Sequence, residues 1–418
     1  MEVVATDWVS AIDEAAVRLA PVVVRTPLEI CKRLSERYGA RVLLKREDRQ
    51  EVRSFKIRGA YNRVASLSAE ERARGVVCAS AGNHAQGVAF ACARLGIRAT
   101  VFMPAVTPLQ KIERVQHFGR DRVEVRLLGD SYDDASAAAQ AHCDERGAVF
   151  IHPFDDPLTI AGQGTIGREL VEELGVPPDV LVAGIGGGGL ISGIAAYLKS
   201  HRPAMAVIGA EPAGAPSMAA SLGAGRVVAL EEIDTFVDGA AVKRVGDLTF
   251  ELCRQHLDDL VPVPEGQVCT SIIELYQNEG IISEPAGALA VAALDSIGDR
   301  LRDQTVVCVL SGGNNDILRY PEIMERSLVH QGRKHYFIVE FAQKPGQLRR
   351  FVDQALGPTD DIVRFEYMKK TNKERGAALV GIELKSKDDL APLLERMREV
   401  HINARPVTSE ELLYDYLI

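Results

Sequence analysis

Through the first three quarters of the chain, short apolar runs alternate with stretches whose apolar residues recur every three to four positions. The runs at 41–45 (RVLLK), 75–80 (GVVCAS), 98–104 (RATVFMP), 122–128 (RVEVRLL) and 148–153 (AVFIHP) have strand length. So do those at 179–185 (DVLVAGI), 204–210 (AMAVIGA) and 305–310 (TVVCVL). Between several of them lie helical patterns, such as 84–96 (HAQGVAFACARLG) and 134–147 (DASAAAQAHCDERG). This alternation predicts an α/β fold, with mostly parallel sheets covered by helices on both faces. Ligands in such folds sit at the carboxyl ends of the strands.

The pattern changes near residue 320. The charged, poorly periodic stretch 319–335 (RYPEIMERSLVHQGRKH) predicts a helix and a neck. From His335 the order becomes strand (HYFIVEF), helix (PGQLRRFVDQAL), strand (DIVRFEY), strand (AALVGIEL), helix (KDDLAPLLERMREV), strand (INARPVT). That is βαββαβ, the order of a ferredoxin-like module.

Composition narrows the partners. A chain of 418 residues with 46% hydrophobic and 26% charged positions has ample core for two or three globular domains. A net charge of −9 disfavours nucleic acid and membrane surfaces. No apolar run is long enough to span a bilayer, and the opening MEVVATDWVSAIDEAA lacks the features of a secretory leader. The seven cysteines are scattered without a C-x-x-C, which points to buried thiols in a reducing cytoplasm. The nine histidines form no H-E-x-x-H, so a catalytic zinc is not expected.

Four segments carry candidate chemistry. Gly186–Gly189 follow a strand and precede a helix, where converging amides and a helix start suit a phosphate. The same segment spells G-x-G-x-x-G at Gly184, Gly186 and Gly189, with Glu211 at the end of the next strand, so a dinucleotide site is equally readable there. Lys56 lies between Phe55 and Ile57 with Arg58 beside it. Burial and a neighbouring cation would lower the pKa of its amine, the condition for a nucleophilic lysine. Ser80–His84 follow a strand and open a helix, which offers amides to a carboxylate or, alternatively, a plain helix cap. Ser311 stands just past a buried strand, where a turn serine is the simpler reading.

Taken in order, S-F-K-x-R-G-A, S-A-G-N-H-A-Q-G, G-G-G-G-L and S-G-G-N resemble the fold-type II pyridoxal-phosphate enzymes, and more narrowly the threonine dehydratase family. The segments KRED (45–48), AGQGTI (161–166), DGAAVKRVG (238–246) and EPAGA (284–288) agree, and the C-terminal module is similar to the regulatory ACT-like domain of the biosynthetic type. The resemblance implies two three-layer α/β/α subdomains in a catalytic domain over 1–320, the smaller roughly 51–153. A neck over 321–334 and an ACT-like domain over 335–418 would follow. It also implies that Lys56 holds pyridoxal 5'-phosphate and takes the substrate's Cα proton. Asn83 would bond the cofactor's ring hydroxyl, Gly186, Gly187, Gly188, Gly189 and Leu190 its phosphate, and Ser311 would face its pyridine nitrogen. Ser80, Ala81, Gly82, Asn83 and His84 would hold the substrate carboxylate.

The implied reaction converts threonine to 2-oxobutanoate and ammonia in isoleucine biosynthesis, with isoleucine or valine as effectors and a cytoplasmic homotetramer as the assembly. A serine dehydratase and a threonine synthase are alternatives on the same fold. An NAD enzyme using the glycine run is an alternative of another class. Two departures carry weight. Ala81 stands where related serine racemases have a second serine, so racemisation is not expected. Glu211 is the only carboxylate where those relatives bind a divalent ion, so no divalent metal is expected. Arg49 and Glu51 replace an apolar residue and a proline, which puts the packing of that loop in question.

Overall fold

The computed structural model describes residues 7–368, 373–408, 413 and 417. The chain divides into two compact units, residues 1–265 with 274–315, and residues 266–273 with 316–418. In chain order the first unit carries β1 (Leu28–Ile30), β2 (Arg41–Arg46), β3 (Val76–Ala79), β4 (Ala99–Met103) and β5 (Val123–Leu127). It continues with β6 (Val149–Phe150), β7 (Val180–Gly184), β8 (Ala206–Pro212), β9 (Asp259–Val263) and β10 (Thr305–Leu310). All eight apolar runs read as strands therefore form strands, and β1 and β9 are additional.

The strands make two sheets. The larger has the order β1-β2-β10-β7-β8-β9 and is parallel except for β1. The smaller has the order β5-β4-β3-β6 and is wholly parallel. Alternation along β3 shows why helices cover both faces. Val76 and Cys78 join a core with Ile57, Ala60, Ala85 and Val88, while Val77 and Ala79 join another with Ala135, Ala139 and Cys143. The helices Lys56–Ala65 and Asn83–Leu95 thus lie on one side and Tyr132–Arg146 on the other. In the larger sheet, Leu181, Ala183, Val207 and Val307 pack with Leu190, Ile191 and Ile194 of the helix Gly189–His201.

A buried ion cluster fastens the Lys56–Ala65 helix to β2 and to the helix Pro157–Leu174. Arg58 donates to Glu47 at 2.8 Å and to Glu169 at 2.6 Å, and Lys45 reaches Glu169 at 2.7 Å. Arg58, Lys45 and Glu47 have no exposed surface. Breaking such a pair costs about 3–5 kcal/mol, because it strands a charge in a low-dielectric interior.

The second unit contains β11 (Lys334–Ala342), β12 (Asp361–Tyr367), β13 (Arg375–Glu383) and β14 (Asn403–Pro406), in the antiparallel order β12-β13-β11-β14. With the helices Gln347–Gln354 and Leu390–Glu399 this is the expected βαββαβ module. Its core joins Phe337, Val339, Phe351, Val380, Ile382 and Leu393. The stretch read as helix and neck holds the helix Tyr320–His330, with Pro321 in the first turn where a missing N–H costs nothing. Residues 369–372, 409–412, 414–416 and 418 of the expected C-terminal domain lie outside the described residues. Among the described residues no helix is long and apolar enough to cross a membrane.

Candidate active site

β2, β10 and β7 run parallel and side by side, so their carboxyl ends deliver three loops to one edge of the larger sheet. Backbone bonds then fix the lysine segment to the serine segment. The Phe55 amide donates to the Ser311 carbonyl at 3.0 Å and the Gly313 amide to the Arg53 carbonyl at 2.9 Å. Ser54 and Gly312 form an isolated bridge between them. Arg53 takes a left-handed conformation (φ 57°), which strains a residue with a Cβ by about 1–3 kcal/mol. Arg49 and Glu51 are exposed while Gln50 and Val52 point inward, so the substitutions that put this loop in question leave its packing intact.

Lys56 is half-buried at the start of its helix, and its Nζ donates to the Pro153 carbonyl at 2.8 Å. Nζ also lies 5.2 Å from the centre of the Phe55 ring. Desolvation pushes the amine down to about 8, against a smaller upward pull from Glu284. The cause expected from sequence needs correction. Arg58 does not act on Lys56, because its guanidinium is turned away and neutralised by Glu47 and Glu169.

The glycine run is shaped by its neighbours. A Cβ on Gly187 would come 2.2 Å from the Phe154 ring, and Gly188 has φ +93°, which a side chain would resist. Gly189 opens the following helix, whose first amides have no carbonyl one turn back. Leu190 is buried and anchors that helix in the core. Thr249 Oγ1 donates to the Gly187 carbonyl at 2.6 Å and holds the loop from behind. The dinucleotide reading fails on Glu211. Its carboxylate is buried and accepts the amides of Met218 (2.6 Å) and Ala219 (3.0 Å), so it caps a helix and cannot bond a ribose.

In the asparagine loop the expected set of amides is smaller than Ser80–His84. The Ser80 amide is committed to the Phe102 carbonyl of β4 (3.1 Å), and the Gly82 amide to Ser80 Oγ (3.2 Å). The amides of Asn83 and His84 stand in the first turn of their helix, where no helical carbonyl meets them. The His84 ring faces inward rather than toward a carboxylate. Its Nε2 lies 2.8 Å from the Ile151 carbonyl, and burial with Lys56 nearby pushes the imidazole down to about 3, so it stays neutral. Ala81 packs against the core of the smaller subdomain and brings no hydroxyl.

Asn83 Nδ2 donates to Glu284 Oε1 at 2.6 Å, and Asn83 Oδ1 accepts from Asn314 at 2.7 Å. Ser311 is buried, and its hydroxyl donates to the Ala286 carbonyl at 3.2 Å. The structure therefore brings together Lys56, Asn83, the glycine run and Ser311. It adds residues that sequence reading passed over. Glu284 is buried beside Lys56, and burial, with Asp238 adding, pushes its carboxyl up to about 7. Lys111 of the smaller subdomain pairs with Asp238 at 2.6 Å. Glu284 was visible only as part of EPAGA; its role depends on a contact 201 residues distant in sequence.

Pyridoxal phosphate needs an amine for its aldehyde, amides for its phosphate, and partners for its ring oxygen and nitrogen. Asn83 keeps its second amide hydrogen for the ring oxygen. A serine hydroxyl rotates, so Ser311 can give its proton to a ring nitrogen instead of Ala286. Next to it, Asn314 Oδ1 and both side-chain amide atoms of Asn315 are buried without a partner among the described residues, as expected where a polar ligand completes the bonding. These residues fit the cofactor.

Comparison with known proteins agrees with this chemistry. Residues 19–312 match the family described as pyridoxal-phosphate dependent enzyme, and residues 325–417 the C-terminal regulatory domain of threonine dehydratase. The L-threonine dehydratase biosynthetic IlvA of Bacillus subtilis is 53% identical over 397 residues, covering 95% of this chain and 94% of its own. That of Mycobacterium bovis is 53% identical over 409 residues, covering 97% and 95%. Among solved structures, the processed form of threonine deaminase isoform 2 from Solanum lycopersicum aligns with a TM-score of 0.73 and 40% identity, over 77% of this chain and 87% of that one. Maize serine racemase aligns with a TM-score of 0.71 and 33% identity, over 77% and 98%. The chain belongs to the pyridoxal-phosphate dependent enzymes, in the biosynthetic threonine dehydratase family.

Proposed function

We propose that this enzyme deaminates L-threonine by α,β-elimination, giving 2-oxobutanoate and ammonia for isoleucine biosynthesis. The observation that carries the reading is Lys56: an amine bonded to the Pro153 carbonyl and to no carboxylate among the described residues, pushed down to about 8, beside the glycine run and Ser311. When bound, pyridoxal phosphate supplies the electron sink that makes the substrate's Cα proton acidic. Lys56 is the base that takes that proton, since a neutral amine is accessible near neutral pH. The first-turn amides of Asn83 and His84 orient the substrate carboxylate, with Ala81 and Gly82 forming the floor of that loop and Ser80 Oγ holding its turn. Gly186–Gly189 and Leu190 hold the phosphate, Asn83 the ring oxygen and Ser311 the ring nitrogen. Loss of water from threonine, then addition of water and loss of ammonia, balances the reaction.

Ala81 offers no hydroxyl to protonate the opposite face, so elimination rather than racemisation is the outcome. The C-terminal module supports regulation by an amino-acid effector, and we assign isoleucine and valine as its effectors. We divide the chain into a catalytic domain to 320, a neck over 321–334 and the regulatory domain beyond, and assign a homotetramer. Seven buried cysteines, none in a disulfide, support a cytoplasmic setting. The test measures 2-oxobutanoate from threonine against pyruvate from serine, with and without isoleucine. Preference for threonine with inhibition by isoleucine is expected; pyruvate as the main product would replace this reading with a serine dehydratase.

A further inference from the structure

The turn that meets Lys56 is built on a histidine to which no role has yet been given. His152 Nδ1 lies 2.7 Å from the Asp155 amide and 3.3 Å from the Phe154 amide, both of which donate to it. An imidazole nitrogen that accepts N–H bonds carries no proton, so the ring is neutral with its hydrogen on Nε2. The ring is fixed edge-on to Phe154, with centroids 4.7 Å apart, and leans on Phe150.

Three consequences issue from those two bonds. The Pro153 carbonyl is aimed at Lys56 Nζ. The Phe154 ring is laid against Gly187, and its backbone and Cβ against Gly189, where side chains would collide with them. The Asp155 carboxylate is presented to the amides of Asp247, Leu248 and Thr249, at 3.0, 3.0 and 3.2 Å, so it caps the helix Asp247–His256. Thr249 in turn holds the Gly187 carbonyl. One four-residue turn therefore touches the amine on one side and the phosphate loop on the other.

We propose that His152 is a positioning residue, whose neutral imidazole gathers the Phe154 and Asp155 amides and so sets Lys56 and the glycine run at the spacing the cofactor requires. The proposal rests on the cofactor site assigned above. Protonation of Nδ1 abolishes the acceptor and places a second cation beside Lys56. The charged and titratable groups that surround the ring are Lys56, Asp155, Asp156, Arg244 and His84.

The test compares holoenzyme carrying His152→Phe and His152→Asn. Phenylalanine keeps the ring packing and removes the acceptor. Asparagine places Oδ1 near the position of Nδ1 and cannot take a proton. Cofactor retained after dialysis, read by its absorbance, and the affinity of the apoprotein for added pyridoxal phosphate are measured apart from turnover. H152F is expected to bind the cofactor about tenfold or more weakly, the effect of leaving buried amides unpaired, and H152N close to wild type. On acidification wild type releases cofactor before H152N does, since the other five groups are present in both. Retention by H152F equal to wild type overturns the proposal, as does an H152N that binds as weakly as H152F. Should H152F fail to fold by circular dichroism, the acid release of H152N against wild type decides alone: identical release overturns the proposal. Absence of threonine turnover in wild type would sink the assigned reaction while leaving the retention pattern to be read.

Discussion

Two lysines eleven positions apart show how partners decide a side chain's work. Lys45 ends its reach at the Thr26 carbonyl (2.7 Å) and Glu169 (2.7 Å), with Glu173 at 3.8 Å and no exposed surface. Lys56 meets one neutral carbonyl, that of Pro153, and the nearest acid acting on it, Glu284, is itself pushed toward its neutral form. A carboxylate ties the first lysine into an ion pair and makes it structural. The lack of one leaves the second amine cheap to deprotonate, because burial penalises only its charged form.

The comparison breaks most sharply at Lys56 itself. Lys56→Ala should lower threonine turnover by on the order of 10³-fold or more while the circular dichroism spectrum stays native. Borohydride treatment and mass measurement should then find no cofactor fixed to the chain. Lys45→Met should do the opposite. It leaves Glu169 with Arg58 but without its second cation, so denaturant unfolding should show a loss of about 3 kcal/mol, with kcat within about twofold of wild type. If Lys45→Met abolished turnover without a stability loss, the division of labour between the two lysines would be wrong.

How far this arrangement could be read from sequence depends on the range of the forces involved. Eight strands were legible as apolar or β-branched runs, and six of them (β2, β3, β4, β7, β8 and β10) are buried on both faces, which needs no knowledge of their neighbours. The two that were missed, β1 and β9, are both edge strands. β1 has three residues, and β9 carries Pro262, which signals against a strand except at an edge. Lys56, Asn83, the glycine run and Ser311 were legible through their local patterns and the order in which they occur. Their mutual fastening was not. Phe55 to Ser311, Asn83 to Glu284 and His152 to its own turn depend on tertiary contacts or on backbone amides, and amides leave no signature in a sequence. The same limit misled the reading of Arg58, which looked like a neighbouring cation until the fold placed Glu47 and Glu169 around it.

The smallest effect is also the most discriminating, since it asks whether Lys56 is governed by burial alone. Only the neutral amine captures an aldehyde, so the rate at which apoprotein takes up pyridoxal phosphate should rise about tenfold per pH unit below about 8 and level off above it. Glu284 bears on this limb through its own titration. Its carboxyl, near 7 because of burial with Asp238 adding, is neutral below that pH and charged above it. Once charged, it favours the ammonium form and raises the Lys56 pKa. Glu284→Gln keeps an acceptor for Asn83 and removes the charge, so the limb should move to lower pH, by about half a unit, with the difference confined to pH above 7. A limb that does not move would show that desolvation sets the amine by itself. A limb that moves upward would place Glu284 in contact with something other than Lys56, and the contrast with Lys45 would then rest on the Pro153 carbonyl alone.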